Sequence, residues 1–141
     1  MNNPDLLTDV PGFLFATSKN GKRDYSANGF RQSLDPLEAL AVTTNTKYDL
    51  ASLTKIVGTT AALIHLVDLG ELKVTDLASR YLAGWQGTDK AEITISELLS
   101  HQSGLAEWYP LYFQKNQRES VVEQIANIPL KYPRNSGRRY S

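Results

Sequence analysis

Apolar and polar positions alternate through "GFLFATSKNGKRDYSANGF", with Phe13, Phe15 and Thr17 on one side and Leu14 and Ala16 on the other, followed by a second short run through Tyr25. Asn20-Gly21 separates the two runs, and both residues tolerate the positive φ of a tight turn. The pattern predicts two antiparallel strands, roughly 12–18 and 23–30. A lone hairpin is marginal in water, so these strands require something to pack on.

The periodicity changes after a polar connection containing Pro36. From Ser52 to Leu69, the residues Leu53, Ile56, Val57, Ala61, Leu63, Ile64, Leu66, Val67 and Leu69 cover most of the circumference of a helix, which predicts a buried helix stopped at Gly70. Farther on, "VTDLASRYL" places Asp76 near a short helical turn. "TISELLSHQSGL" predicts a short helix capped by Thr94 or Ser96 and ending around Gly104. "RESVVEQIANIPL" sets Val121, Val122, Ile125 and Ile128 at helical spacing, and "KYPRNSGRRYS" has the composition of a loop.

A length of 141 residues suits one domain or a piece of a larger one. The 15 basic and 15 acidic side chains cancel, so no field draws nucleic acid or anionic lipid. The absence of cysteine excludes disulfides, thiolate catalysis and Cys-type zinc sites, and leaves His65 and His101 as the only imidazoles. Neither a metal nor another cofactor is expected. "MNNPDLLTDVPG" lacks the basic start and apolar run of a secretion signal, and no apolar stretch is long enough to span a bilayer. The expectation is a soluble cytoplasmic chain, or a periplasmic or secreted one if a signal was removed.

Within "YDLASLTKIVGTTAALIHLVDLG", Lys55 sits one turn into the predicted helix, where its charge opposes the helix dipole. Ser52 lies three positions earlier, on the same face. A serine hydroxyl attacks only when a base accepts its proton, and a lysine is a base only as the free amine. Apolar surroundings and the positive helix end both favour that uncharged form. The competing reading makes Ser52 a simple N-cap, although a capping box would call for Glu or Gln at position 55. Ser-x-x-Lys alone is a short pattern that also arises by chance.

A longer set of matches adds to this pair. "YDLASLTK" closely resembles the first-motif context of the class C-like branch of the serine β-lactamase, penicillin-binding protein and esterase superfamily. "LVDLGELKVTDLASRYL" resembles the helix end and loop that follow, "ITISELLSHQSGL" the His-x-Ser-Gly-Leu segment, and "PLKYPRNSGRRYS" the approach to the Tyr-x-Asn motif. They occur in the family's order across about residues 12–141.

The resemblance implies an α+β fold: the N-terminal part of a β-lactamase/transpeptidase-like domain, with a strand-containing start at 1–51, a mainly helical region at 52–141 and the C-terminal strands absent. It implies Ser52 as the acyl-accepting nucleophile, Lys55 as its proton partner and Tyr140 as the second-motif tyrosine that relays protons. His101, Ser103 and Gly104 are expected to form a helix end and turn, His65 to be packed or partly solvated, and Arg138 and Arg139 to be solvated. The Asn that completes the second motif would follow Ser141, and the Lys-Thr-Gly or His-x-Gly strand would come later still. That strand supplies one of two oxyanion-hole N–H groups in the family, and losing such a donor costs about a hundred- to thousandfold in rate.

The implied activity is hydrolysis of an ester or amide through an acyl-Ser52 intermediate. Small carboxyl esters, β-lactams and D-alanyl peptides are the candidate substrates, with the class C-like context and cytosolic address favouring an ester. A penicillin-binding or sensor-like module and a non-catalytic truncated homologue are the alternatives. An open hairpin edge and an uncovered helix face further imply a complementary C-terminal chain or self-association.

Overall fold

The computed structural model describes residues 10–31, 40–113 and 120–140; the connection around Pro36 lies outside them. The chain divides into two units, Met1–Leu50 and Ala51–Ser141. The architecture is α+β, an antiparallel hairpin followed by a helical region.

In the first unit, β1 (Gly12–Lys19) and β2 (Lys22–Gly29) pair antiparallel from Gly12 opposite Gly29 to Lys19 opposite Lys22. Asn20 and Gly21 turn the chain with φ of 51° and 77°, the left-handed pair that a two-residue hairpin loop requires. At the open end the Phe30 N–H donates to the Pro11 carbonyl at 2.8 Å, and the Val42 N–H donates to the Gly29 carbonyl at 2.9 Å. Gly12 allows this closure, because a Cβ there would run into the Phe30 carbonyl and the Val42 side chain.

The second unit begins with a change of winding. Ala51–Leu53 form a single 3₁₀ turn, Lys55–Thr60 wind as a π-helix, and only then does the chain settle into α1 (Ala61–Asp68). The Thr60 hydroxyl donates to the Lys55 carbonyl at 2.8 Å, supporting the wide turn from its far side. Gly70, with φ of 74°, ends α1: its N–H donates to the Val67 carbonyl and that of Glu71 to the Leu66 carbonyl, both at 3.0 Å. This pair of bonds is a Schellman motif.

The core of this unit gathers Leu72, Ala78, Trp85, Ile93 and Ile95. α1 packs Leu63 and Leu66 against it, α2 (Ile95–Leu99) packs Leu98, and α3 (Val121–Asn127) packs Val122, Ile125 and Ala126. Burial of the whole Ser52–Leu69 segment, expected from its apolar circumference, is not what the structure has. Ile56, Val57 and Ile64 stay 64%, 60% and 64% exposed, because the core touches one side of this segment only.

Two polar hubs close the unit. Lys90 is fully buried, and its ammonium donates to Asp89 at 2.6 Å and to the Ala126 carbonyl at 3.1 Å, while Asp89 accepts the Leu130 N–H at 2.7 Å. The Lys90 ammonium, then the Leu130 N–H, outweigh desolvation and hold the Asp89 carboxyl below its usual range.

Glu97 is the second hub. It completes a capping box with Thr94 at the start of α2 and accepts a two-pronged bond from Arg134 at 2.9–3.1 Å and the Asn135 amide at 2.6 Å. Burial opposes its charge, but Arg134, the Thr94 N–H and Asn135 prevail and hold its carboxyl below the ordinary range. Glu97→Ala removes a cap and strands a half-buried guanidinium, so it should lower unfolding stability by about 3 kcal/mol, read as a shifted urea midpoint.

Candidate active site

Ala51 carries φ of 43°, a left-handed backbone at a residue with a Cβ. Holding an L-residue there costs about 1–2 kcal/mol, and the strain falls on the residue that directs Ser52. Ser52 lies in the 3₁₀ turn that Ala51 opens, Lys55 begins the π-helical stretch, and their three-residue spacing brings the two side chains together across that junction. The Lys55 ammonium donates to the Ser52 hydroxyl oxygen at 3.2 Å. Loss of one proton from that ammonium would reverse the contact, with the hydroxyl donating to the amine.

Ser52 is not the cap of the helical segment that follows. Thr54 occupies that position and makes no side-chain cap bond. None of the ion pairs among the described residues involves Lys55, so no carboxylate there anchors its charge.

Tyr140 reaches the same place from the other end of the unit. Its ring lies with its centroid 5.2 Å from the Lys55 Nζ and 4.7 Å from the His101 ring, tilted by 51°. Ser52, Lys55, His101 and Tyr140 line one cleft of about 490 Å³, whose other walls include Ile56, Leu63, Ile95 and Leu98. The size suits a small organic ligand. Lys55 also borders a second cleft of about 420 Å³ walled by Leu105, Trp108, Tyr109, Leu111 and Ile125.

The loop bearing Tyr140 is held along its length. The Lys131 and Tyr132 N–H groups donate to the Gly104 carbonyl at 3.0 and 3.1 Å, the Asn135 N–H to the Gln102 carbonyl at 2.9 Å, and the Arg139 N–H to the His101 carbonyl at 2.8 Å. Gly104, with φ of 84°, is needed for this approach, since a Cβ would collide with the Tyr132 carbonyl. Glu107 adds a side-chain clamp, accepting from Lys131 at 2.8 Å and from the Tyr132 hydroxyl at 2.7 Å.

All three residues singled out in the sequence therefore meet at one cleft. His101, expected to be only a helix end, joins them through its ring, and no spacing rule signals a contact across 39 positions. Ser103 and Gly104 are buried in the turn as expected. His65 is exposed on α1, away from this cleft's lining. Arg138 and Arg139 are exposed, with the Arg139 guanidinium 4.9 Å over the Tyr132 ring. Among the described residues, no cluster of three or more His, Cys, Asp or Glu is placed to hold a metal, and no helix is long and apolar enough to cross a membrane.

The beta-lactamase family model matches residues 5–141. This chain belongs to the beta-lactamase family. It is 31% identical to an N-acetylmuramyl-L-alanine amidase of Bacillus subtilis (strain 168), covering 97% of this chain and 35% of that protein. It is 35% identical to a putative D-alanyl-D-alanine carboxypeptidase of Salmonella paratyphi B, over 80% of this chain and 30% of the other. A solved class C beta-lactamase superposes with a TM-score of 0.70 at 22% identity, covering 96% of this chain and 35% of that one, which is a likeness of fold. This beta-lactamase-family chain thus spans about a third of the length of the relatives it matches.

The clamp on the Tyr140 loop gives the site an acid dependence. The Lys131 ammonium, then the Glu107 N–H and the Tyr132 hydroxyl, lower the Glu107 carboxyl from 4.5 to about 2. A depressed carboxylate adds stability above its unfolded value and loses it as pH falls through the folded one. Urea midpoints of the wild type and Glu107→Gln should differ above pH 4.5 and converge toward pH of about 2.

Proposed function

We propose that this chain carries the acylation centre of a serine hydrolase that cleaves an ester or amide through an acyl-Ser52 intermediate. The observation that supports the reading most is the 3.2 Å contact between the Ser52 hydroxyl and the Lys55 amine on an apolar cleft shared with Tyr140. Neutral Lys55 takes the hydroxyl proton as the Ser52 oxygen bonds to the substrate carbonyl carbon. Tyr140 gives its phenolic proton to the departing oxygen or nitrogen and takes one back from the Lys55 ammonium. Water then attacks the acyl ester, returns its proton through the same pair and frees Ser52.

The apolar walls on both sides of Lys55 favour an acyl or leaving group with hydrocarbon character, such as a small carboxyl ester. The names of the amidase and carboxypeptidase relatives bring amide and D-alanyl peptide substrates beside it, and β-lactams share the same carbonyl chemistry. In this reading the apolar face at Ile56, Val57 and Ile64 is covered by a complementary C-terminal segment of the family fold. The exposure of those residues and the one-third coverage of the relatives support it.

The test is covalent labelling with a fluorophosphonate, alone and with a C-terminal fragment of a relative added, read by intact mass and peptide mapping. Label should sit on Ser52 and vanish in Ser52→Ala. Lys55→Met should slow labelling by about 10²–10⁴-fold. The wild-type rate should rise with pH. Equal labelling of Ser52→Ala would overturn the nucleophile, and a pH-independent rate would remove Lys55 as the base. With a chromogenic ester or a penicillin in place of the fluorophosphonate, an acyl-Ser52 that accumulates with no product release would favour the penicillin-binding or sensor-like module.

A further inference from the structure

We infer that His101 is a positioning residue for Tyr140, its imidazole fixing the plane in which the tyrosine ring faces the Lys55 amine. The inference rests on the acylation chemistry proposed for Ser52 and adds a residue to it.

His101 follows α2 with φ of 57°. Its N–H donates to the Leu98 carbonyl at 3.1 Å, and its carbonyl accepts the Arg139 N–H at 2.8 Å. The backbone of His101 therefore holds the residue just before Tyr140. This backbone role alone does not call for an imidazole: glycine or asparagine enters the left-handed region as readily. What the imidazole adds is its ring, 4.7 Å from the Tyr140 ring and tilted by 51°, in the range of favourable aromatic pairs.

Tyr140 needs such a neighbour, because it is 59% exposed. Its ring has Lys55 near it at 5.2 Å and His101 at 4.7 Å, and both of these residues line the cleft that holds Ser52. Without the imidazole, Arg139 keeps its backbone bond to position 101, but Tyr140 gains freedom about its side-chain torsions. The phenol then spends less time in the orientation that proton relay requires, and loss of orientation at a reacting group lowers rate with little change in binding.

A double-mutant cycle separates this role from general support of the fold. His101→Asn keeps a residue comfortable at positive φ and removes the ring. Alone it should slow Ser52 labelling by about tenfold, with the fluorophosphonate concentration at half-maximal rate unchanged. In a Tyr140→Phe background the same substitution should have no further effect on the rate. NMR supplies a readout that does not depend on labelling: the Tyr140 ring signals, assigned through Tyr140→Phe, should move toward solvent-exposed tyrosine positions in His101→Asn.

Rate losses that multiply in the double variant, or Tyr140 signals unmoved by His101→Asn, would overturn the inference. If wild-type Ser52 takes no label, the acylation reading fails and the catalytic purpose of the stack falls with it. The ring signals then decide whether the stack exists.

Discussion

The Glu97 carboxylate joins two parts of the second unit that lie far apart in the chain. It starts α2 through its capping box and, with its remaining lone pairs, draws in Arg134 and Asn135 from 37 and 38 positions away. A buried acid is costly unless its charge is fully engaged, and here the Arg134 and Asn135 contacts that help satisfy it also tie the Tyr140 loop to α2. The meeting of Tyr140 with Lys55 and Ser52 rests on this hub. The Glu107 clamp and the left-handed Gly104 secure the same loop from the opposite side.

The site's other half is set by local winding. Strain at Ala51, one 3₁₀ turn and one π-helical stretch replace the smooth helix that the sequence suggests between Ser52 and Leu69. The serine sits in the 3₁₀ turn and the lysine opens the π-helical stretch, so the pair meets across the junction of the two windings. The serine–lysine encounter therefore precedes the regular helix, which begins only at Ala61.

Features governed by neighbours in the chain were legible in the sequence. Asn20-Gly21 announced the hairpin turn and Gly70 the end of α1, the cap of α2 is Thr94, one of the two candidates with Ser96, and the valine and isoleucine spacing located α3. The chain also gave the Ser52–Lys55 pair and, through the family resemblance, Tyr140. Features that depend on tertiary partners were not legible. Nothing in the local pattern says that Lys90 is buried, that Glu97 reaches Arg134 or that the His101 ring meets Tyr140. The apolar circumference of the Ser52–Leu69 segment promised burial because composition records what a surface can bury, whereas packing decides which side meets a partner.

The π-helical stretch also sets a reading frame for the segment. A wide turn inserts extra chain between Lys55 and α1, so the apolar residues Leu63 and Leu66 meet the core in a rotational phase that ordinary winding from Lys55 would not give. Removing one residue between positions 56 and 60 would let α geometry close through the gap. Such a deletion would keep Lys55 and the core contacts in their present relative phase, whereas α winding at the present length would set the two in competition.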